Sequence, residues 1–298
     1  MYNKIVYKNP IVKGADPFIL LHEGKYYHYA TTHENGYIVR VSTDLVNWEE
    51  KGYCLKKEDV AGDFDFWAPE ILYKNGKFYM VYTSERHLGI AVADSPLGPF
   101  KQKEKKFLFE DYAIDGHFFV DDDGSVYLYY VRQIDCNAVY VCKMKEDLIS
   151  VYEETETFIS TGAEGWERNN KSLTWYCNEG PFVIKYNGKY YLTYSANDYK
   201  DPMYGIGISV ADNPFGPFVK PLNAPILIGN DKVKCTGHHS FTKSKDGKKL
   251  ICVYHTHFSS SQVEPRMTNI DEAEFYYDEK LKMDMLRIKG PSTETKEI

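Results

Sequence analysis

The stretch EGPFVIKYNGKYYLTYS, residues 179–195, contains two short runs of apolar and aromatic residues separated by Asn187-Gly188. Asn-Gly supplies the positive φ angles of a tight type I′ turn, and the flanking runs have the alternation and aromatic content of strands. The segment therefore predicts a β-hairpin. Gly180 and Pro181 keep the first strand from beginning earlier, so Glu179 places a charge at the start of that strand.

Four other segments repeat this plan. Each has a distinctive first residue, a turn glycine eight or nine positions later, and a strand after the turn. They are ADPFILLHEGKYYHYAT (15–31), WAPEILYKNGKFYMVYT (67–83), DGHFFVDDDGSVYLYYV (115–131) and HHSFTKSKDGKKLICVYH (238–255). Two hairpins are followed by a second shared phrase, GIAVADSPLGPFKQ (89–102) and GISVADNPFGPFVK (207–220), of which VRVSTDLVNWEEKG (39–52) is a variant.

These repeats predict the fold. Repetition at roughly 50 to 60 residues, with each unit a small antiparallel sheet, is typical of a propeller with four strands per blade. We therefore expect an all-β fold, a five-bladed β-propeller of four-stranded antiparallel blades around a central channel. A β-sandwich needs no such self-similarity and is the weaker alternative. Residues 1–298 are expected to form a single catalytic domain.

Composition narrows the classes of partner. The 298 residues include 36 Lys and Arg against 43 Asp and Glu, for a net charge of −7, and there is no long basic stripe, so nucleic acid is not an expected partner. No stretch reaches the length of a membrane span and the N-terminus lacks the apolar run of a signal peptide, which predicts no membrane association and a cytoplasmic location. Six cysteines without a C-x-x-C pair favour reduced thiols. The oligomeric state stays open.

The repeats also predict a site. In a propeller the first strand of each blade lines the channel, so residues at equivalent positions converge on one axis. Trp67, Asp115, Glu179 and His238 each stand nine residues before their turn glycine, and Asp16 stands eight before its own. We expect these five side chains at one mouth of the channel. Converging carboxylates repel one another and lose hydration, which raises at least one pKa, and structure alone gives no reason to accept that cost.

The same positions carry five short motifs. They are A-D-P-F-I (15–19), W-A-P-E-I (67–71), I-D-G (114–116), N-E-G-P (178–181) and G-H-H-S (237–240). In this order and spacing the chain resembles, over nearly its whole length, the inverting arabinofuranosidases and xylosidases of glycoside hydrolase family 43. The resemblance implies a five-bladed propeller and an exo-acting hydrolase that removes α-L-arabinofuranosyl residues from arabinoxylo- or arabino-oligosaccharides, a step in xylan degradation.

By that resemblance Asp16 would be the general base, Glu179 the general acid, and Asp115 a third carboxylate that orients the acid and raises its pKa. An inverting hydrolase needs one ionised carboxylate to deprotonate water and one protonated carboxyl to protonate the departing oxygen. The two stand roughly 6.5–9.5 Å apart so that water fits between them. Positions on blades one and four, across the channel, can supply that distance.

Other site residues keep two interpretations each. Trp67 provides a wall for a sugar ring or belongs to the core. The resemblance implies that Arg266 reaches the pocket, and the alternative is a surface ion pair. It also implies that His238 accompanies a calcium ion near the channel axis, and the alternative is a hydrogen-bonded structural histidine. Phe66 and Asn197 are further candidates for sugar contact. No organic cofactor is expected.

The activity also has alternatives. The runner-up is a β-D-xylosidase or a bifunctional xylosidase/arabinofuranosidase, followed by an endo-arabinanase, which needs an open groove. A non-catalytic sugar-binding propeller has no use for a separated acid and base. Many xylosidases of this family carry a β-sandwich domain after the propeller, whereas this chain ends near the fifth blade, and on that ground we expect arabinofuranosidase activity first.

Overall fold

The computed structural model describes residues 6–163, 165–168 and 175–297. Within these ranges the regular structure is twenty-two β-strands and two short 3₁₀ helices, Lys57–Asp59 and Trp166–Arg168. None of the described helices is long and apolar enough to cross a membrane. The all-β prediction is confirmed.

Five antiparallel sheets arranged in a ring form the blades. Two short strands, β1 (Val6–Tyr7) and β2 (Val12–Lys13), come before blade one. Blade one contains β3 (Phe18–His22), β4 (Lys25–Tyr29), β5 (Gly36–Ser42) and β6 (Glu49–Lys56). Blade two contains β7 (Trp67–Lys74), β8 (Lys77–Ser84) and β9 (His87–Ala93).

The remaining blades follow in chain order. Blade three contains β10 (Ala113–Val120), β11 (Val126–Gln133), β12 (Asn137–Met144) and β13 (Val151–Thr161). Blade four contains β14 (Asn178–Tyr186), β15 (Lys189–Ala196), β16 (Gly205–Ala211) and β17 (Leu227–Ile228). Blade five contains β18 (Gly237–Lys243), β19 (Leu250–Thr256), β20 (Met267–Asp278) and β21 (Met283–Ile288), and β22 (Lys296–Glu297) ends the described chain.

The five-bladed propeller is confirmed, with one departure from four strands per blade. Blade two has three strands among the described residues. Blade five is complete because two short segments share the outer edge of β20: β2 pairs with its beginning and β21 with its remainder. The N-terminal strand thereby closes the ring without a covalent link, and β1 pairs with β22 beside it.

The hydrophobic core is divided among the five blade interfaces. One cluster of buried side chains lies between each pair of neighbouring blades, including the pair formed by blades five and one. Aromatic residues such as Tyr37, Tyr82 and Tyr194 fill these interfaces because flat blades that pack face to face need large side chains between them. The centre of the ring is left for polar groups.

The turns of the hairpins explain an irregularity in the repeat spacing. In blades one, two and four, two residues with positive φ connect the first two strands, as in Asn187 (φ 46°) and Gly188 (φ 78°), which confirms the type I′ prediction. In blades three and five the connections are longer, residues 121–125 and 244–249. Because of these extra residues, the count back from the turn glycine to the equivalent position of the first strand is one residue longer in blades three and five than in the other blades.

Each innermost strand contains a β-bulge where it enters the channel. The ladder shifts register there in blades two to five, and the pairing of Ala15 with Thr31 before β3 produces the same shift in blade one. One residue in each bulge adopts a positive φ of 43–57°, and we call these five the bulge residues: Asp16, Ala68, Asp115, Gly180 and His238. The sequence count therefore aligned the blades incorrectly, because Trp67 and Glu179 lie one residue before the bulge.

A ring of hydrogen bonds joins the bulge residues to their neighbours. In each bulge, the backbone N–H points away from its own ladder and donates to a side chain of the preceding blade. The bonds are Ala68 to Thr31 Oγ1 (2.9 Å), Asp115 to Thr83 Oγ1 (3.2 Å), Gly180 to Asp115 Oδ2 (3.2 Å), His238 to Ser195 Oγ (2.7 Å) and Asp16 to His255 Nδ1 (3.2 Å). These bonds fix the blades relative to one another at the channel mouth.

Truncation at the closing interface is expected to destabilise the whole ring. Ile270 on β20 is 0% exposed, and its backbone exchanges hydrogen bonds with the Asn9 side chain. Ile270→Ala should lower the free energy of unfolding by about 2–5 kcal/mol, since it leaves a cavity where blade five meets blade one. Ile134→Ala, at a side chain that is 65% exposed, is the matched control and should change it by less than about 0.5 kcal/mol. Urea unfolding followed by tryptophan fluorescence measures both, and equal effects would contradict the closure.

Candidate active site

A cavity of about 480 Å³ opens at the channel mouth. Residues from all five blades line it. The five side chains that the repeats predict at this place all contribute to its wall: Asp16, Trp67, Asp115, Glu179 and His238. Asp16, Asp115 and His238 are bulge residues, which a bulge re-aims out of the alternation of the strand, and Trp67 and Glu179 each immediately precede a bulge residue.

Asp16 is buried in a cationic environment. Arg266 Nη1 donates to its Oδ1 over 2.8 Å, and the Thr31 hydroxyl donates to its Oδ2 over 2.5 Å. His238 Nδ1 lies 3.3 Å from Oδ1. Burial raises the pKa of Asp16, but the charges of Arg266 and His238 and the contact with His255 outweigh it and hold this pKa well below its ordinary value. Asp16 is therefore ionised at neutral pH.

The pKa values of the two histidines beside Asp16 are shifted in opposite directions. Burial lowers the pKa of His238, but Asp16 and Asp115 outweigh it, so the pKa lies above the ordinary value. Burial, together with Arg266, lowers the pKa of His255 to about 3, which keeps that ring neutral. Its Nδ1 lies 3.2 Å from the Asp16 backbone nitrogen and 3.1 Å from Asp16 Oδ1, and its Nε2 lies 3.5 Å from the Cys235 sulfur.

Glu179 stands in a different environment. Asn137 Nδ2 donates to its Oε2 over 2.7 Å, and the Tyr204 hydroxyl donates to its Oε1 over 2.8 Å. Both donors are neutral, in contrast to the guanidinium that contacts Asp16. Neutral donors stabilise a carboxylate less than a cation does, so the two acids stand in different electrostatic environments.

Asp115 lies between these two acids in the ring. Burial, together with the charges of Glu179 and Asp16, raises its pKa to about 7, against the opposing charge of His238. Its Oδ2 accepts the Gly180 backbone N–H over 3.2 Å and lies 4.0 Å from His238 Nδ1. The electrostatic cost that the sequence predicts for converging carboxylates is thus present at Asp115.

The remaining predicted residues divide into two groups. Trp67, Arg266 and Asn197 line the cavity, and Arg266 pairs with Asp16 rather than forming a surface ion pair. Asn197 also donates from Nδ2 to the backbone carbonyls of Trp166 and Met203, which fixes its position in the wall. The prediction for Phe66 was wrong: its side chain is 0% exposed in the core between blades one and two and cannot contact a sugar.

Several residues of the site escaped the sequence analysis. Thr31 and His255 hold Asp16, and Asn137 and Tyr204 hold Glu179. Thr31 and His255 occupy equivalent positions at the end of the second strand of their blades, facing Ala15 and Gly237. That shared position inside the repeats was a signal that could have found them. Asn137 and Tyr204 begin or precede third strands, where the repeats diverge.

The donor groups around His238 bear on the expected calcium ion. Calcium takes six to eight oxygen ligands at about 2.3–2.6 Å. No group of three or more His, Cys, Asp or Glu within residues 6–163, 165–168 and 175–297 is arranged to hold a metal ion. His238 instead turns Nδ1 toward Asp16 and Asp115. These residues do not fit a calcium ion ligated by the protein, and calcium near the axis stays a prediction.

An ionised carboxylate and a neutrally bonded glutamate, facing one sugar-sized cavity, are the two groups of an acid–base hydrolase of glycosides. Comparison with known proteins agrees with this class. Residues 7–281 match the family described as glycosyl hydrolases family 43. The chain belongs to this family and is a glycoside hydrolase.

The names of similar proteins state different activities. A thermostable family-43 glycoside hydrolase is 41% identical with a TM-score of 0.86, and the match covers 97% of each chain. A structure titled endo-1,4-beta-xylanase from Bacteroides thetaiotaomicron is 35% identical with a TM-score of 0.86 and covers 95% of this chain and 97% of its own. A xylosidase/arabinosidase of Bacteroides ovatus is 27% identical over 89% of this chain and 92% of its own length.

Substitution of Trp67 should weaken substrate binding, whereas substitution of its neighbour Phe66 should reduce stability. Trp67→Leu removes an aromatic face from the cavity and should raise KM about tenfold on a saccharide substrate with little loss of stability. Phe66→Leu is the matched control and should leave KM unchanged while lowering the melting temperature, because it truncates a core side chain. Steady-state kinetics and thermal unfolding decide this, and an equal rise of KM in both variants would contradict the assignment.

Proposed function

We propose that the protein is an exo-acting, inverting hydrolase that removes α-L-arabinofuranosyl residues from arabinoxylo- or arabino-oligosaccharides. The observation that carries this proposal is the meeting of Asp16, Asp115 and Glu179, from blades one, three and four, in one cavity. A binding protein has no use for three carboxylates that must be desolvated together, because their repulsion costs stability.

In the proposed reaction Asp16 acts as the general base. Its carboxylate is kept ionised by Arg266 and takes a proton from the water that attacks the anomeric carbon. The Thr31 hydroxyl occupies Oδ2, which restricts the carboxylate to one orientation. The bond from the anomeric carbon to the leaving oxygen breaks on the opposite face of the sugar, which inverts the configuration.

Glu179 acts as the general acid. It gives its proton to the departing glycosidic oxygen and becomes a carboxylate, which the two donors Asn137 and Tyr204 stabilise. Asp115 lies on the adjacent blade and bonds the backbone N–H of Gly180, the residue that follows the acid. In the proposed reaction Asp115 therefore orients the backbone that carries the acid.

The shape of the cavity supports removal of terminal residues. Its wall contains His33 from blade one, Trp175 from the segment between blades three and four, and Tyr199 from blade four. An enzyme that cuts within a chain needs a groove that is open at both ends, and we propose that these three side chains limit the cavity to the end of a chain.

The structure constrains the choice between an arabinofuranoside and a xyloside less than it constrains the roles of the acid and the base. The Bacteroides ovatus relative carries both activities in its name, xylosidase and arabinosidase, and this observation favours a second candidate function, hydrolysis of β-D-xylosides. A terminal arabinofuranose and a terminal xylopyranose can present similar faces to one pocket, so the two activities can share the acid and the base.

Substitution of the two acids should separate their roles. Asp16→Ala should lower kcat by about 10²–10⁴ on every substrate, because water then lacks its base. Glu179→Ala should lower kcat by a similar factor on an oligosaccharide but far less on 4-nitrophenyl arabinofuranoside, since nitrophenolate leaves without a proton. Asp122→Ala, at an exposed turn outside the cavity, is the control. Equal losses of the Glu179 variant on both substrates would remove the acid assignment.

The products should identify both the substrate and the stereochemical course. ¹H NMR of the first turnovers on nitrophenyl α-L-arabinofuranoside should reveal β-arabinose, the inverted anomer, before mutarotation. A panel of nitrophenyl pentosides followed by decorated xylo-oligosaccharides should release monosaccharide alone. Retention of configuration would contradict the base role of Asp16, and release of oligosaccharides from within linear arabinan would contradict the exo mode.

A further inference from the structure

The two oxygens of Glu179 receive hydrogen bonds of different kinds. Oε2 accepts from the Asn137 side-chain NH₂ over 2.7 Å, and Oε1 accepts from the Tyr204 hydroxyl over 2.8 Å. A hydroxyl can donate or accept, whereas an amide NH₂ can only donate. The oxygens are therefore not equivalent as places for a proton.

The orientation of the Asn137 amide is fixed by its other contacts. Trp175 Nε1–H donates to Asn137 Oδ1 over 3.2 Å, and an indole nitrogen has no capacity to accept. Gln133 Nε2 donates to the same oxygen over 3.1 Å. A rotation of the amide by 180° would place its NH₂ against two donors, so the NH₂ group must face Glu179.

The Gln133 amide is oriented in the same way. Arg86 Nε–H donates to Gln133 Oε1 over 2.9 Å, and a guanidinium is also donor-only. Arg86, Gln133 and Asn137 thus form a series in which each group donates to the next and the last donates to Glu179. The series runs from blade two through blade three to blade four, and a charged donor polarises its first member.

We propose that this series keeps Oε2 of Glu179 free of a proton and so places the transferable proton on Oε1, beside Tyr204. A proton on Oε2 would face the N–H of Asn137 and cost a buried hydrogen bond. A proton on Oε1 meets the Tyr204 hydroxyl, which can rotate its own hydrogen away and accept, whereas the Asn137 NH₂ can never accept. After transfer to the glycosidic oxygen, the Tyr204 hydroxyl donates to the Oε1 carboxylate oxygen. Asn137 and Tyr204 are positioning residues, and this role rests on the proposed function of Glu179.

The test compares two substrates that differ in leaving group. Asn137→Asp replaces the NH₂ donor with a group that can share a proton with Oε2, and it should lower kcat about 10- to 100-fold on an oligosaccharide. On 4-nitrophenyl arabinofuranoside, which needs no proton, kcat should change less than about threefold, with KM unchanged on both substrates. Tyr204→Phe should give the same selectivity.

Two matched controls lie outside the cavity. Asn230→Asp keeps its acceptor contacts with the N–H groups of Lys232 and Val233, and Tyr190→Phe removes a hydroxyl that bonds Asp121 at a distant turn. Both should keep the kinetics of the parent on both substrates. Equal losses on the two substrates in Asn137→Asp would overturn the proposal and indicate a merely structural role.

A neutron crystal structure of the unaltered protein tests the proposal without a variant. Deuterium on Oε1 of Glu179 is the expected result, and deuterium on Oε2 would overturn the inference. A parent protein that hydrolyses no pentoside would instead refute the proposed function, whereas an active parent with an unselective Asn137→Asp refutes this inference alone.

Discussion

The hydrogen bond from each bulge residue to the preceding blade is the constraint on which the rest of the structure depends. A positive φ in a residue other than glycine costs on the order of 1–3 kcal/mol and persists only where the surroundings impose it. Four of the five bulge residues are not glycine, and two of them, Asp16 and Asp115, are site carboxylates. The strain is the condition for aiming these side chains into the channel, and the inter-blade bonds offset it.

The exception in the ring explains why a carboxylate stands on blade three. Thr31, Thr83, Ser195 and His255 lie at equivalent positions and accept the N–H of the next bulge. The equivalent residue of blade three is Val131, which faces Ile114 and whose side chain has no hydrogen-bond acceptor. Asp115 supplies the missing acceptor with its own Oδ2. One carboxylate therefore positions the backbone beside Glu179 and also contributes to the electrostatics of the site.

Much of the fold and of the site was predictable because repeated sequence segments form equivalent blades around one axis. The Asn-Gly turns and the recurring hairpins predicted the propeller, and convergence on the axis predicted the five side chains. Counting from the turn could not reveal the bulge, since longer turns in blades three and five compensate for a one-residue difference. Phe66 failed for a related reason: a position adjacent to Trp67 in sequence points into the core. Asn137 and Tyr204 depend on register between strands, which no local pattern specifies.

The ring closure has a consequence for how the enzyme comes into being. Asp16 and its guanidinium partner Arg266 are 250 positions apart, and β2 pairs with a strand of the last blade. On the ribosome, chains emerge from the N-terminus, and contacts this distant form late. A nascent chain with four blades complete has a base carboxylate without its cation. The Asp16–Arg266 pair at the channel mouth therefore forms only after the strands of the last blade have been synthesised.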